Sequence, residues 1–118
     1  MREETGVPFS ELTTLRLGGP ARRLVVAETE REVVEVVQEA DAVGEPLLVL
    51  GGGSNLVVAD DGFDGTVLQV ATRGIERSDE GLDIAAGEGW DEAVALLVSE
   101  GYAGVEALSG IPGLVGAA

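Results

Sequence analysis

Four consecutive aliphatic residues, Leu47-Leu48-Val49-Leu50, run without a polar break into Gly51-Gly52-Gly53-Ser54-Asn55. A short unbroken apolar run is the form expected of a strand buried on both faces, which demands neighbouring strands and cover above and below. The three glycines at its end carry no Cβ, so backbone can approach a bulky anion and successive amides can face it together. Ser54 and Asn55 add short side-chain donors. The stretch is not the dinucleotide fingerprint G-x-G-x-x-G, because Leu56 stands where its third glycine belongs. Read from these residues alone, it is either an anion-holding loop or an ordinary glycine-rich turn.

The flanking pattern supplies the rest of a sheet. Leu24-Val25-Val26-Ala27 reads as the first clear strand, set off by Gly18-Gly19-Pro20 from the amphipathic segment Leu12-Thr13-Thr14-Leu15-Arg16-Leu17. Thr29 with Glu32 forms a capping box, and Val33, Val34, Val37 and Ala40 recur at helical spacing until Gly44 and Pro46 stop the helix. Beyond the glycine loop, Asp60 to Gly65 is a turn and Thr66 to Val70 a strand. Ile75 to Ser78 and Leu82 to Ala86 flank Asp79-Glu80-Gly81 as a hairpin, with Leu82, Ile84 and Ala86 facing one way. Trp90, Ala93, Val94 and Leu97 mark a second amphipathic helix closed by Gly101, with Trp90 as its expected core anchor. The order β-α-β-β-β-β-α predicts an α+β domain with a mixed sheet and two flanking helices, unlike strict doubly wound alternation.

Composition then removes much of the chemistry such a fold could host. The 118 residues include no His, no Cys and no Lys, so zinc fingers, haem ligation, thiol nucleophiles, Ser-His and Cys-His pairs, Schiff bases and a Walker-type phosphate loop are all excluded. Any phosphate must be met by backbone amides or arginine, and Arg16 and the pair Arg22-Arg23 are the natural clamps if one is needed, although surface solvation is the commoner role of an arginine in so acidic a chain. A net charge of −15 repels nucleic acid and anionic membrane surfaces. No stretch approaches the roughly 20 apolar residues of a membrane span and no signal-type core follows Met1-Arg2-Glu3-Glu4, so a cytoplasmic protein is expected. Carboxylates are too numerous for any pair to stand out as acid and base, and no catalytic or metal-binding residue is nominated.

Two further glycine clusters draw notice. Gly87-Glu88-Gly89-Trp90 lies between a strand and a helix, where glycine serves turns. Ser109-Gly110-Ile111-Pro112-Gly113-Leu114-Val115-Gly116-Ala117-Ala118 is apolar, and its glycines at 110, 113 and 116 with Pro112 suit a backbone-lined ligand wall or close chain-to-chain packing. An apolar end of this kind is expected of a piece whose continuation would bury it.

Taken together and in order, these blocks resemble the amino-terminal part of the UDP-N-acetylenolpyruvoylglucosamine reductase (UDP-N-acetylmuramate dehydrogenase) family. Thr13-Thr14-Leu15-Arg16-Leu17-Gly18-Gly19 is similar to the family's opening segment, Val49 to Leu56 to its flavin pyrophosphate loop, and Gly62 to Val67 to the turn and strand that follow. Gly87 to Trp90 and Gly110 to Gly116 are similar to two later blocks. The resemblance implies the vanillyl-alcohol-oxidase/PCMH-type FAD-binding fold, with an amino-terminal segment at 1–20, a first subdomain at 21–108 and the start of a second at 109–118. By the resemblance, Leu50, Gly51, Gly52, Gly53, Ser54, Asn55 and Leu56 would cradle the FAD diphosphate, and Gly110, Ile111, Pro112, Gly113, Gly116 and Ala117 would line the flavin from the other side. Some members carry a hydroxyl residue where this chain has Ala117. The implied chemistry passes hydride from NADPH through noncovalent FAD to UDP-N-acetylglucosamine-enolpyruvate, giving UDP-N-acetylmuramate for peptidoglycan. The family's proton donor and substrate clamps lie in later segments, so this piece is expected to be inactive alone. Two alternatives are another PCMH-type FAD oxidoreductase and a non-catalytic acidic α+β binding module.

Overall fold

Strict alternation along two strands sets the architecture. The computed structural model describes residues 1–54 and 56–117. Strands β1 (Arg2–Pro8), β2 (Pro20–Ala27), β3 (Leu47–Leu50) and β4 (Phe63–Val70) form one sheet in the order β1-β2-β4-β3. β1 is antiparallel to β2, whereas β2, β4 and β3 run parallel, which makes the sheet mixed as predicted. Helix α1 (Glu30–Val43) supplies the crossover between β2 and β3. A separate hairpin, β5 (Ile75–Ser78) with β6 (Gly81–Ile84), and helix α2 (Trp90–Ser99) follow.

Period two along β2 and β4 divides the aliphatic residues between two cores. Leu24, Val26 and Val67 point to one side, where Phe9, Ala21 and Leu50 complete a buried cluster. Val25, Ala27 and Leu68 point to the other and meet Val36 of α1. β2 and β4 are therefore the strands buried on both faces. β3, expected in that role, is the sheet's edge, and its Val49 is 61% exposed. Its apolar run reflects burial of Leu50 on one side and partial cover of Leu47 by α1 on the other.

Thr29 caps α1 by accepting from the Glu32 backbone N–H (3.2 Å), and Gly44 ends it in the left-handed region (φ 68°). The Glu32 carboxylate reaches back to the Glu28 N–H (3.3 Å), which with the amino terminus holds its pKa below the ordinary value. The buried stripe of α1 is Val33, Val36 and Ala40; Val34 and Val37, expected on it, are exposed. β1 was not expected, because Arg2-Glu3-Glu4-Thr5-Gly6-Val7 has no apolar run and owes its strand form to pairing with β2. Leu12 to Leu17 forms a turn after the short 3-10 helix Phe9–Glu11, leaving Leu15 and Leu17 exposed. In the hairpin Leu82 and Ile84 share the half-buried side, while Ala86 lies beyond the strand. Trp90 is not a core anchor: it is half-buried, and its Nε1–H donates to the Leu108 carbonyl (2.9 Å), tying α2 to the 3-10 turn Glu106–Leu108.

Candidate functional site

The parallel strands deliver the glycine loop to the carboxyl end of the sheet, where open α/β sheets place their ligands. Leu50 pairs with Gln69 as the last rung of β3, and the chain leaves the sheet at Gly51. Gly53 then adopts φ 73°, and a Cβ built there would lie 2.1 Å from the Leu12 carbonyl oxygen. Only glycine fits such a position. Its own carbonyl accepts from the Thr14 N–H (3.1 Å), which pins the loop against the opening turn. Among the described residues, no acceptor takes the backbone N–H of Gly52, Gly53 or Ser54, although Gly53 is buried. Consecutive unclaimed amides at a strand end form a concavity suited to an anion. Asn55, also expected to contribute, lies outside the described residues.

The second glycine segment comes to the same place by a different route. Trp90 N–H donates to Gly113 O (3.1 Å), Val115 N–H to Glu88 O (2.8 Å) and Gly116 N–H to Ala86 O (3.0 Å), so residues 113–116 lie along 86–90 almost as an added strand. Asp91 holds the preceding turn through the Gly110 N–H (2.8 Å) and the Ser109 hydroxyl (2.9 Å). Those two donors, the amide first, keep the Asp91 carboxyl below the usual aspartate range. Glu88 is lowered in the same way, first by the Gly74 N–H and then by Arg73. Asp91 does not stand out in the sequence, since one acid among 22 carries no spacing signal.

The two segments meet. A Cβ on Gly51 would sit 3.6 Å from the Ala117 Cβ, one on Gly52 would sit 3.7 Å from the Gly113 Cα, and one on Gly113 (φ 113°) would sit 3.2 Å from Ser54 Oγ. Leu50 and Gly51 share with Leu114, Gly116 and Ala117 a small apolar cleft of about 200 Å³. Ile111 is exposed, and with Gly110, Pro112 and Gly113 it lines a separate hollow of about 270 Å³ beside Trp90 and Asp91. Leu56 packs against the Phe9 core. Thus Leu50 to Ser54 and Gly113 to Ala117 converge, while Gly110 to Pro112 stand to one side. Of the candidate arginine clamps, Arg22 and Arg23 take the surface role. Arg22 is paired with Glu45 and Asp64, and Arg23 with Glu3 and Glu39; the hydrogen bond from Arg23 to Glu3 raises the Arg23 pKa. Both are engaged in surface ion pairs, and neither lines the clefts beside the glycine loop.

Fold and site together define an α+β module that presents an anion-receiving glycine loop at the end of parallel strands. A family described as an FAD binding domain matches residues 21–118. The UDP-N-acetylenolpyruvoylglucosamine reductase of Streptomyces coelicolor is 56% identical over 117 residues, covering 99% of this chain and 30% of that protein. That of Saccharopolyspora erythraea is also 56% identical over 117 residues, covering 95% of this chain and 32% of the relative. The crystal structure of UDP-N-acetylenolpyruvylglucosamine reductase from Thermus caldophilus superposes with a TM-score of 0.74 at 34% identity, covering 98% of this chain and 40% of that one. The chain belongs to the FAD binding domain family, and it spans about a third of the length of the curated relatives it matches. The residues present fit that cofactor: unclaimed amides on a lysine-free loop suit its diphosphate, and the apolar cleft beside them suits a ring.

No helix among the described residues is long and apolar enough to cross a membrane, and no cluster of potential metal ligands occurs among them.

Proposed function

We propose that this chain is the FAD-holding portion of a UDP-N-acetylenolpyruvoylglucosamine reductase working in the cytoplasm, with residues 21–108 as the first FAD subdomain and 109–118 as the entry to the second. The observation that carries this reading is the meeting of the loop Leu50–Ser54 with the segment Gly113–Ala117, with amides left open at the junction. Gly52, Gly53 and Ser54 would hold the diphosphate through backbone N–H groups, with Ser54 Oγ and the Asn55 side chain adding donors. Gly113, Gly116 and Ala117 would wall the flavin, and Gly110, Ile111 and Pro112 would extend that wall. FAD, when bound, supplies the hydride relay from NADPH to the enolpyruvyl double bond of UDP-N-acetylglucosamine-enolpyruvate. The chain's own part is to bind and orient the cofactor and to exclude water from the cleft. With neither His nor Cys in the chain, attachment to it through those side chains is ruled out, and its own contacts to the cofactor are noncovalent.

The test is an FAD titration of the purified chain, read by thermal unfolding and by an absorbance scan of the material as isolated. At FAD concentrations 100 times the dissociation constant the folded state should gain about 2.7 kcal/mol. A colourless chain whose melting is unmoved by FAD would favour the non-catalytic binding module instead. Substrate-dependent NADPH oxidation by the isolated chain would overturn the view that it supplies only cofactor-holding residues.

A further inference from the structure

The glycine loop is a partition between two clefts of opposite character. Gly51 borders the apolar cleft described above, whereas Gly52 borders a polar one of about 680 Å³, lined also by Ser10, Thr13, Thr14, Arg16 and Gln69. Arg16 is distinctive twice over. The chain holds seven arginines against 22 acidic residues, and among the described residues Arg16 alone forms no ion pair. Glu11 borders the same cleft yet is not within ion-pair distance of it. Arg16 is also the one non-glycine residue, among those described, in the left-handed region (φ 55°), a conformation that costs an L residue free energy and costs glycine almost none. Its turn is fixed by Arg16 N–H to Thr13 O (3.2 Å), and the adjoining Thr14 N–H binds Gly53 O, so the turn and the loop form one unit. A strained backbone therefore carries an uncommitted cation into the same cleft that an unclaimed amide borders, in an otherwise acidic protein.

We propose that Arg16 and the Gly52 amide form the seat for a nucleotide diphosphate, the guanidinium fork taking two phosphate oxygens while the amide takes a third. This deepens, and rests on, the reading of the loop as the cofactor-holding segment. The acidic cleft between the start of α1 and the hairpin, bordered by Glu28, Glu30, Glu76 and Asp83, would repel the same group. Two nucleotides could present a diphosphate here: the flavin dinucleotide itself, or a uridine diphosphate group arriving beside it.

The experiment titrates the full 118-residue chain and its R16Q, R16K and R16G variants with FAD, with riboflavin, which lacks the diphosphate, and with UDP, alongside melting curves of the unliganded proteins. R16Q should weaken FAD binding at least tenfold and leave riboflavin unchanged, R16K should recover part of the loss, and unliganded R16G should melt no lower than the parent. Loss confined to UDP would support the seat and assign it to the second nucleotide. If R16Q binds FAD and UDP as the parent does, the seat is refuted while the flavin reading stands. An R16G protein that melts well below the parent would give Arg16 a structural role and refute the seat too. A parent chain that binds no FAD at all would overturn the underlying reading, and this inference with it.

Discussion

Strand β4, paired with β2, and the segment 110–117 both border the proposed cofactor site, yet they are held by different forces. β2 and β4 are locked by aliphatic side chains on both faces, with Leu24, Val25, Val67 and Leu68 essentially without exposure. The segment 110–117 has no buried residue of its own and is attached by backbone hydrogen bonds to 86–90 and by the Asp91 carboxylate. Burial of apolar area is non-directional and strong, roughly 25 cal/mol per Å². Exposed hydrogen bonds contribute little net stability but fix geometry. One wall of the site is therefore built into the fold, and the other is docked upon it.

Leu68→Ala should show the largest effect, since it removes a fully buried side chain from beneath α1. A loss of about 2 to 5 kcal/mol is expected in urea unfolding, and a loss under about 1 kcal/mol would mean that something other than the sheet core chiefly holds the fold together. Gly53→Ala comes next, because its Cβ would strike the Leu12 carbonyl and its φ is positive. Here about 1 to 3 kcal/mol is expected, together with loosening of the opening turn; a neutral result would show that loop and turn are not one unit. Asp91→Asn should leave global stability nearly unchanged while amide exchange across 110–116 quickens several-fold. Equal quickening in β2 and β4 would erase the distinction between the two walls. The same contact has a pH signature. The folded-state pKa of Asp91 is depressed, so its stabilisation is complete above the ordinary carboxylate range and is lost as pH falls through the folded value, below about pH 4. Protection of 110–116 should then fail at a higher pH than protection of the sheet.

This division also explains what could be read from the chain. The β-α-β start, the Thr29 cap, the Gly44 stop and the hairpin were legible because each rests on local chemistry: periodicity, a capping oxygen, a left-handed glycine. The place of β3 was not, because an apolar run records burial but not which neighbours provide it. β1 was invisible for the converse reason, its strand form being imposed by β2. Of the residues named for the site, Gly51, Gly52 and Ser54 lie against Gly113 and Ala117, whereas Gly110, Ile111 and Pro112 stand to one side. Asp91, which fixes the second segment, had no local signature. Arg22 and Arg23, candidate phosphate clamps for which a surface role was the stronger reading, are claimed by four carboxylates, partners that charge counting alone does not name.

The parallel pairing of β2 with β4 has a consequence for how this protein is made. Leu24 finds its partner Val67 about 40 residues later in the chain, and pairings so distant in sequence must close a long loop before any contact repays it. During synthesis neither side of the sheet can be completed until β4 has left the ribosome. Until then the exposed aliphatic strand β2 depends on its antiparallel partner β1, already emerged and carrying Arg2, Glu3 and Glu4, to occupy one edge with a charged and soluble neighbour.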